Sequence, residues 1–403
     1  MTGTRFPGID AAAILDRARG HGRALVDLVR RLAEVESPTD EPGSQVAVQD
    51  LVTRELGVLG YRVRRHPGRT TGGLLLASPR DRVRGRPLQL LVGHTDTVWP
   101  MGTLATMPVV EEDGMLRGPG VFDMKAGLAL ILFALRVLRE MDLEPPATPV
   151  VLMNADEEIG SPESGVTVRR LACRVARAFV TEPSFGPRGK LKTARKGVGN
   201  FDVFITGRPA HAGLDPGGGA SAIAELAHVV RKLHALTDLG RGTTVNVGVV
   251  DGGTRPNVVA ARARAQVDVR ILTADDGAEV ERAIRALEPE TPGVGLRVEG
   301  AIRIPPMERT RANRGLWADA QAAAAALGLE VEETMVGGAS DGSVLSQYTA
   351  TLDGLGAVGD GAHAAHEHMV VDPTVDRCAL LALLLMAPLG SDASQDAASP
   401  GGA

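Results

Sequence analysis

The sequence predicts an α/β domain interrupted by an inserted α+β domain, and three observations predict it. Short apolar runs alternate with helical patterns through the first half of the chain. After about Lys196 the pattern changes to strand, helix, two strands, helix, strand, the β-α-β-β-α-β order of a ferredoxin-like sheet with two helices. Past Pro305 and Pro306 the first pattern returns. The chain is therefore expected to divide into a discontinuous domain at 1–196 and 306–390, an insert at 197–305, and a tail at 391–403. The tail is mostly Ser, Asp, Ala, Gly and Pro and is expected to be disordered, because it cannot bury enough apolar surface to order itself.

Leu88–Val92 and Pro149–Met153 are short apolar runs bounded by polar or turn residues, as buried strands are. Between them, Ala126–Met141 places Leu128, Ile131, Leu132, Leu135 and Leu138 on one helical face. Ala176–Val180 is a third apolar run. In the insert, Asn200–Thr206, Thr243–Val250, Ala261–Ile271 and Gly295–Gly300 read as strands, with helices at Ser221–Leu236 and Glu279–Leu287. Alternation along Ala261–Ile271 puts Arg262, Arg264, Gln266, Asp268 and Arg270 on one face. The last part offers helices at Ala312–Leu327 and Val375–Leu385 and strands at Leu329–Thr334 and Tyr348–Leu352.

Composition narrows the function classes. In 403 residues, 44% are hydrophobic and 23% charged, so a sizeable core can form. Aromatics are 3% and the net charge is −5, which argues against a base-stacking platform and against a basic field for nucleic acid or anionic lipid. Cys173 and Cys378 are too few and too far apart for a disulfide framework or a thiolate zinc site, as expected of a cytoplasmic protein. No apolar run approaches the roughly 20 residues that span a bilayer, and the first twenty residues lack the pattern of a secretory leader.

Four segments near strand ends carry clustered metal-type ligands. Gly93-His94-Thr95-Asp96 follows the first apolar run, and a His and an Asp two apart on extended chain face the same way, so one can bind a metal while the other holds it. Asp123 stands at the entrance to the helix that begins near Ala126, where it could also serve as a cap. Asp156-Glu157-Glu158 follows the second apolar run, and neighbouring carboxylates need a cation or solvent. Glu182 follows the third. A late histidine cluster adds His363, His366 and His368. Carboxylates mixed with imidazole suit zinc, with cobalt or manganese as substitutes.

Together these segments resemble the M20 metallopeptidases over roughly Asp40–Met386. The Gly207-Arg208-Pro209-Ala210-His211-Ala212-Gly213 segment is most similar to the glutamate carboxypeptidase branch. Acetylornithine deacetylases and succinyl-diaminopimelate desuccinylases belong to the same family. The resemblance implies a zinc-peptidase-like catalytic domain with a mixed sheet, and an insert that serves as lid and homodimerisation domain. It implies two Zn2+ ions, with Asp123 bridging, His94 and Glu182 on one, and Glu158 and His363 on the other. His363 is preferred to His366 because Glu367 follows it by four residues, as in the family. Asp96 would orient His94, and Glu157 would be the general base that moves a proton from the attacking water to the leaving nitrogen. His211 would reach the oxyanion, while Asn257, Arg270 and the Gly-rich loop at Gly338 would hold the substrate. The family also tends to have a cis peptide after the bridging Asp, here Asp123-Met124. The implied substrate is an N-acyl amino acid, dipeptide or glutamate-type conjugate with a free carboxylate.

Two other readings compete. Gly338-Ala339-Ser340-Asp341-Gly342 fits the Gly-x-Ser-x-Gly pattern of a serine hydrolase, with Ser340 as nucleophile. A non-catalytic binding protein could share the architecture, although the ligand positions and Glu157 are all present.

Overall fold

The computed structural model describes residues 5–390, so the expected tail at 391–403 lies outside the described residues. The chain forms two compact units. One comprises the chain up to Thr193, Arg309–Met335 and the chain from Ser340 onward; the other comprises Ala194–Glu308 and Val336–Ala339. The Gly-rich segment Val336–Ala339 thus groups with the second unit, whereas the sequence reading put it in the first. Among the described residues, no helix is long and apolar enough to cross a membrane.

The first unit is built on a six-stranded mixed sheet. Its order is Tyr61–His66, Leu74–Pro79, Thr148–Asn154, Leu88–His94, Arg177–Val180 and Ala350–Leu352. The first two pairings are antiparallel and the other three parallel. Alternate residues of the same strands feed two cores, as the pleat requires. Leu91, Val151, Met153 and Phe179 pack with the large helical side, which includes Ala126–Glu140 and Val371–Leu385. Leu90, Val92, Leu152 and Val180 pack on the other face with Val168 and Leu345.

The helix Ala126–Glu140 departs from the expected single apolar face. Nearly every residue from Ala126 to Leu138 is buried, because the helix lies inside the large core with other helices against it. The expected strand Leu329–Thr334 begins instead at Glu333. Leu329 and Val331 rest on the main core just after the helix Arg311–Leu327, so strand pairing starts only beyond them. The strand near Tyr348 likewise begins at Ala350. The structure adds three α-helices within Ala11–Val58 and a hairpin at Tyr61–Pro79 that the sequence patterns above do not include.

The second unit has a four-stranded antiparallel sheet in the order Thr244–Gly252, Arg262–Ile271, Gly197–Thr206, Gly295–Ile304. Helices Ala222–His234 and Ala274–Arg285 cover one face. The second begins five residues before the sequence reading placed it, because Thr273 caps it by accepting from the Asp276 amide at 3.1 Å. Ala263, Ala265, Val267, Val269 and Ile271 point into the core, which leaves the alternating polar residues on the opposite face as expected.

Candidate metal centre

Three adjacent parallel strands end where the ligand-type residues begin. Leu88–His94 ends on His94, Thr148–Asn154 runs into Glu157 and Glu158, and Arg177–Val180 into Glu182. Carboxyl ends of parallel strands are where open α/β sheets gather their sites. The fourth contributor, Asp123, sits in the turn before the helix Ala126–Glu140, and its bond to Met124 is cis. Gly93 allows the helix close to the strand, since a Cβ there would meet Leu128 Cδ2 at 2.8 Å.

The two oxygens of Asp123 face different imidazoles. His94 Nε2 is 3.4 Å from Asp123 Oδ1 and 3.4 Å from Glu182 Oε1. His363 Nε2 is 3.4 Å from Asp123 Oδ2 and 3.1 Å from Glu158 Oε2. Two tetrahedral ligands, each about 2.0–2.1 Å from one zinc ion, stand about 3.4 Å from each other. The donor set therefore fits cations of this size on both sides of Asp123. Asp123 Oδ1 and Glu158 Oε1 are also buried without a hydrogen-bond partner, which is costly unless something positive completes them. Ligand atoms of His94, Glu157 and Glu182 lie within 4.8 Å of one another, as do those of His94, Asp123 and Glu158.

The electrostatics agree. Burial opposes charge on His94, but Asp123, Asp96 and Glu182 outweigh it and hold the imidazole well above its usual range. The carboxylates of Asp123 and Glu158 raise His363 to about 10. Burial and the neighbouring Glu182 charge push Glu157 well above an ordinary carboxyl. A field that retains protons on two imidazoles is one in which divalent cations can replace them.

Asp96 holds the cluster in a way the sequence did not indicate. His94 Nδ1 lies 2.9 Å from the Asp96 main-chain oxygen and 3.4 Å from its carboxylate Oδ1. Oδ2 accepts from Thr39 Oγ1 at 2.9 Å and from the Glu158 amide at 3.2 Å, so Asp96 also fixes the turn that carries Glu158. That turn rests on a buried network in which Asn154 Nδ2 donates to Ser161, Ser164 and Asp341, and Ser161 Oγ donates to Asp341. Burial pushes Asp341 up to about 6. Glu367, noted in the sequence only for its spacing from His363, is fully buried beside the Asp123 turn.

His363 and His366 are both exposed, but it is His363 that approaches Asp123 and Glu158; His368 Nδ1 contacts the His366 main-chain oxygen at 2.9 Å. Ser340 is no free nucleophile. Its hydroxyl donates its proton to Asp353 Oδ2 at 2.7 Å and accepts from the Gly342 amide at 3.0 Å, capping the helix Asp341–Leu345; among the described residues no histidine takes that proton. The Gly-x-Ser-x-Gly match is a helix cap.

The remaining candidates belong to the second unit. His211 is exposed, and its Nδ1 accepts from the Gly213 and Leu214 amides, both at 3.1 Å. In the neutral ring this leaves the proton on Nε2. Asn257 is exposed on a segment joined to the His211 turn, where the Ala212 amide donates to the Asn257 oxygen at 3.0 Å. Arg270 is already engaged by Asp268, through Nε at 2.9 Å and Nη2 at 3.0 Å, while Nη1 faces the Gly337 oxygen at 3.5 Å. Gly338 is exposed, and its main-chain oxygen accepts from Arg195 Nη1 at 3.1 Å.

Comparison with known proteins matches residues 90–387 to peptidase family M20/M25/M40. Carboxypeptidase G2 of Pseudomonas sp. (strain RS-16) is 27% identical over 374 residues, covering 91% of this chain and 90% of that protein. Succinyl-diaminopimelate desuccinylase of Caulobacter sp. (strain K31) is 28% identical over 365 residues, covering 85% and 91%. Among solved structures, aminopeptidase PepT of Bacillus cereus has a similar fold, with a TM-score of 0.75, 22% identity, and coverage of 91% of this chain and 98% of that one.

Proposed function

The chain belongs to peptidase family M20/M25/M40, and from that premise we propose that it is a di-zinc hydrolase of amide bonds. The substrate is an N-acyl amino acid, dipeptide or glutamate-type conjugate with a free carboxylate. The observation that carries this reading is Asp123, whose two oxygens face His94 and His363 separately while Oδ1 has no hydrogen-bond partner.

Asp123, His94 and Glu182 would hold one zinc ion, and Asp123, Glu158 and His363 the other. Bound there, the ions supply Lewis acidity, which polarises the scissile carbonyl and acidifies water. Glu157 takes the proton of the attacking water as its oxygen bonds to the carbonyl carbon. It returns that proton to the nitrogen as the C–N bond breaks, giving an acid and an amine. The environment that raises its pKa suits a group that must both take and give a proton. Asp96 keeps His94 oriented through Nδ1. From the insert, His211 donates Nε2–H to the developing oxyanion. Asn257, Arg270 and the Gly338 loop receive the substrate's carboxylate end, with the Arg270 fork held in place by Asp268.

A second reading is a deacylase of the acetylornithine or succinyl-diaminopimelate kind on the same site, favoured by the long match to a desuccinylase. We further assign the insert to lid and homodimer roles and the protein to the cytoplasm.

A hydrolysis screen over dipeptides and N-acyl amino acids, run on metal-free and zinc-restored protein, tests the reaction and separates the two readings. Turnover restored by zinc, resistant to a serine-directed phosphonate, is expected. Turnover that persists in metal-free protein would remove the metal reading.

A further inference from the structure

The turn that carries Asp123 is organised around one side chain. Glu367 Oε1 accepts from the amides of Phe122 at 2.9 Å and Asp123 at 3.0 Å. Its Oε2 accepts from the Gly120 amide at 2.9 Å and from Trp99 Nε1 at 2.7 Å. The Glu367 main-chain oxygen accepts a further amide, that of Gly118, at 3.2 Å. Gly118, Gly120, Phe122 and Asp123 thus all point their N–H groups at a single residue 244 positions from Asp123. Gly120 makes this possible, because it has φ 72° and a Cβ there would meet Thr97 Cγ2 at 2.8 Å.

Glu367 is also rigidly related to His363. The Ala364 amide bonds to the Gly361 oxygen at 2.8 Å and the Glu367 amide to the Ala364 oxygen at 2.9 Å. His363 itself has φ 61°, a left-handed conformation that few non-glycine residues adopt but that histidine adopts more often than most. The next residues, His368–Val370, pair antiparallel with Met115–Arg117, the strand that leads into the Asp123 turn. One short loop therefore presents His363 to Asp123 from outside while gripping the backbone of Asp123 from inside.

An ionised carboxylate has about four acceptor sites, and here four N–H donors occupy them. None remains for a metal or a substrate, so Glu367 takes no direct part in the chemistry. These four N–H donors offset part of the cost of burial, which still pushes the Glu367 carboxyl up to about 7. We propose that Glu367 is the positioning residue of the centre: it builds the Asp123 turn before any metal arrives and fixes Asp123 relative to His363. The proposal rests on the two-metal reading given above.

Glu367→Gln tests it. The amide matches the carboxylate in shape but turns an NH2 group toward two of the four donors, which breaks two bonds and sets N–H against N–H. Zinc affinity of the purified metal-free protein, measured by competition with a chromophoric chelator, is expected to fall about 10–100-fold, the usual range for a group that supports metal ligands. The visible absorption of the cobalt-substituted protein is expected to change, which a loss of general stability alone does not produce in folded protein. Trp99→Phe removes one donor of four and is expected to have a smaller effect in the same direction. If Glu367→Gln fails to fold, hydrogen exchange on the metal-free wild-type protein decides: the segment 118–123 is expected to be protected without metal. Free exchange of that segment, or wild-type cobalt affinity and spectrum in Glu367→Gln, would overturn the proposal. If wild-type protein takes up two zinc ions and Glu367→Gln takes them up equally well, this inference alone fails. If wild-type protein takes up none, the two-metal reading fails and this one with it.

Discussion

The carboxylates of the sheet unit are buried with oxygens left over, whereas the candidate residues of the insert are exposed or already satisfied. Asp96, Asp123, Asp156 and Glu158 each keep a buried oxygen without a hydrogen-bond partner. His211 and Asn257 stand in water, and Arg270 has Asp268 in its fork. Bulk water reaches the second group freely, whereas on the two-metal reading cations complete Asp123 and Glu158 in the first. The difference teaches where substitutions should alter metal binding and where they should alter only substrate handling.

Metal removal should separate the two regions most sharply. Chelation is expected to abolish turnover and to lower the melting temperature, by the equivalent of about 2.7 kcal/mol where free metal stood at a hundredfold over Kd. Unchanged melting would mean that the buried carboxylates are content without a cation. Next comes Glu157→Gln, expected to lower kcat by about 10²–10⁴ while metal content stays at the wild-type value, as checked by elemental analysis. Near-normal turnover would take the base assignment away from Glu157. In the insert, His211→Ala is expected to reduce kcat by about 10²–10³ with metal content again unchanged. A loss of metal in that variant would erase the contrast between the regions. Arg270→Ala is expected to raise KM for carboxylate substrates by about tenfold, the worth of one charge-assisted bond, with a smaller change in kcat. Equal KM values for the acid and its neutral amide in wild-type protein would remove the clamp. The smallest effect is expected from Ser340→Ala, which loses a helix cap and a bond to Asp353. Unfolding by urea should show a loss of about 1–3 kcal/mol with turnover nearly retained.

Legibility followed chain locality. Apolar runs and their alternation revealed the parallel strands and the insert, because strand and helix periods are local properties of sequence. In the hairpin at Tyr61–Pro79, the strand Tyr61–His66 carries Arg62, Arg64 and Arg65 and its pattern is weak, while Leu74–Ala77 is an apolar run that the sequence reading does not include. The resemblance implies that Asp96 orients His94; its second task, holding the Glu158 amide, joins segments 62 residues apart. The rival reading of Ser340 as a nucleophile rests on a five-letter match; the side chain that accepts its hydrogen bond, Asp353, lies thirteen residues on and belongs to no such pattern.

By itself the sequence determined the donor chemistry: which imidazoles and carboxylates follow apolar runs, and that they lie on both sides of an insert. Residue type fixes what a side chain can bind, and strand periodicity fixes where it stands along the chain. Only the tertiary structure decided which oxygens are left without partners and that Glu367 grips the turn beneath Asp123; for His363 it agrees with the preference the family spacing implied. Those outcomes depend on burial and on hydrogen bonds between distant segments, and the desolvation that gives them their energy exists only once the chain has folded.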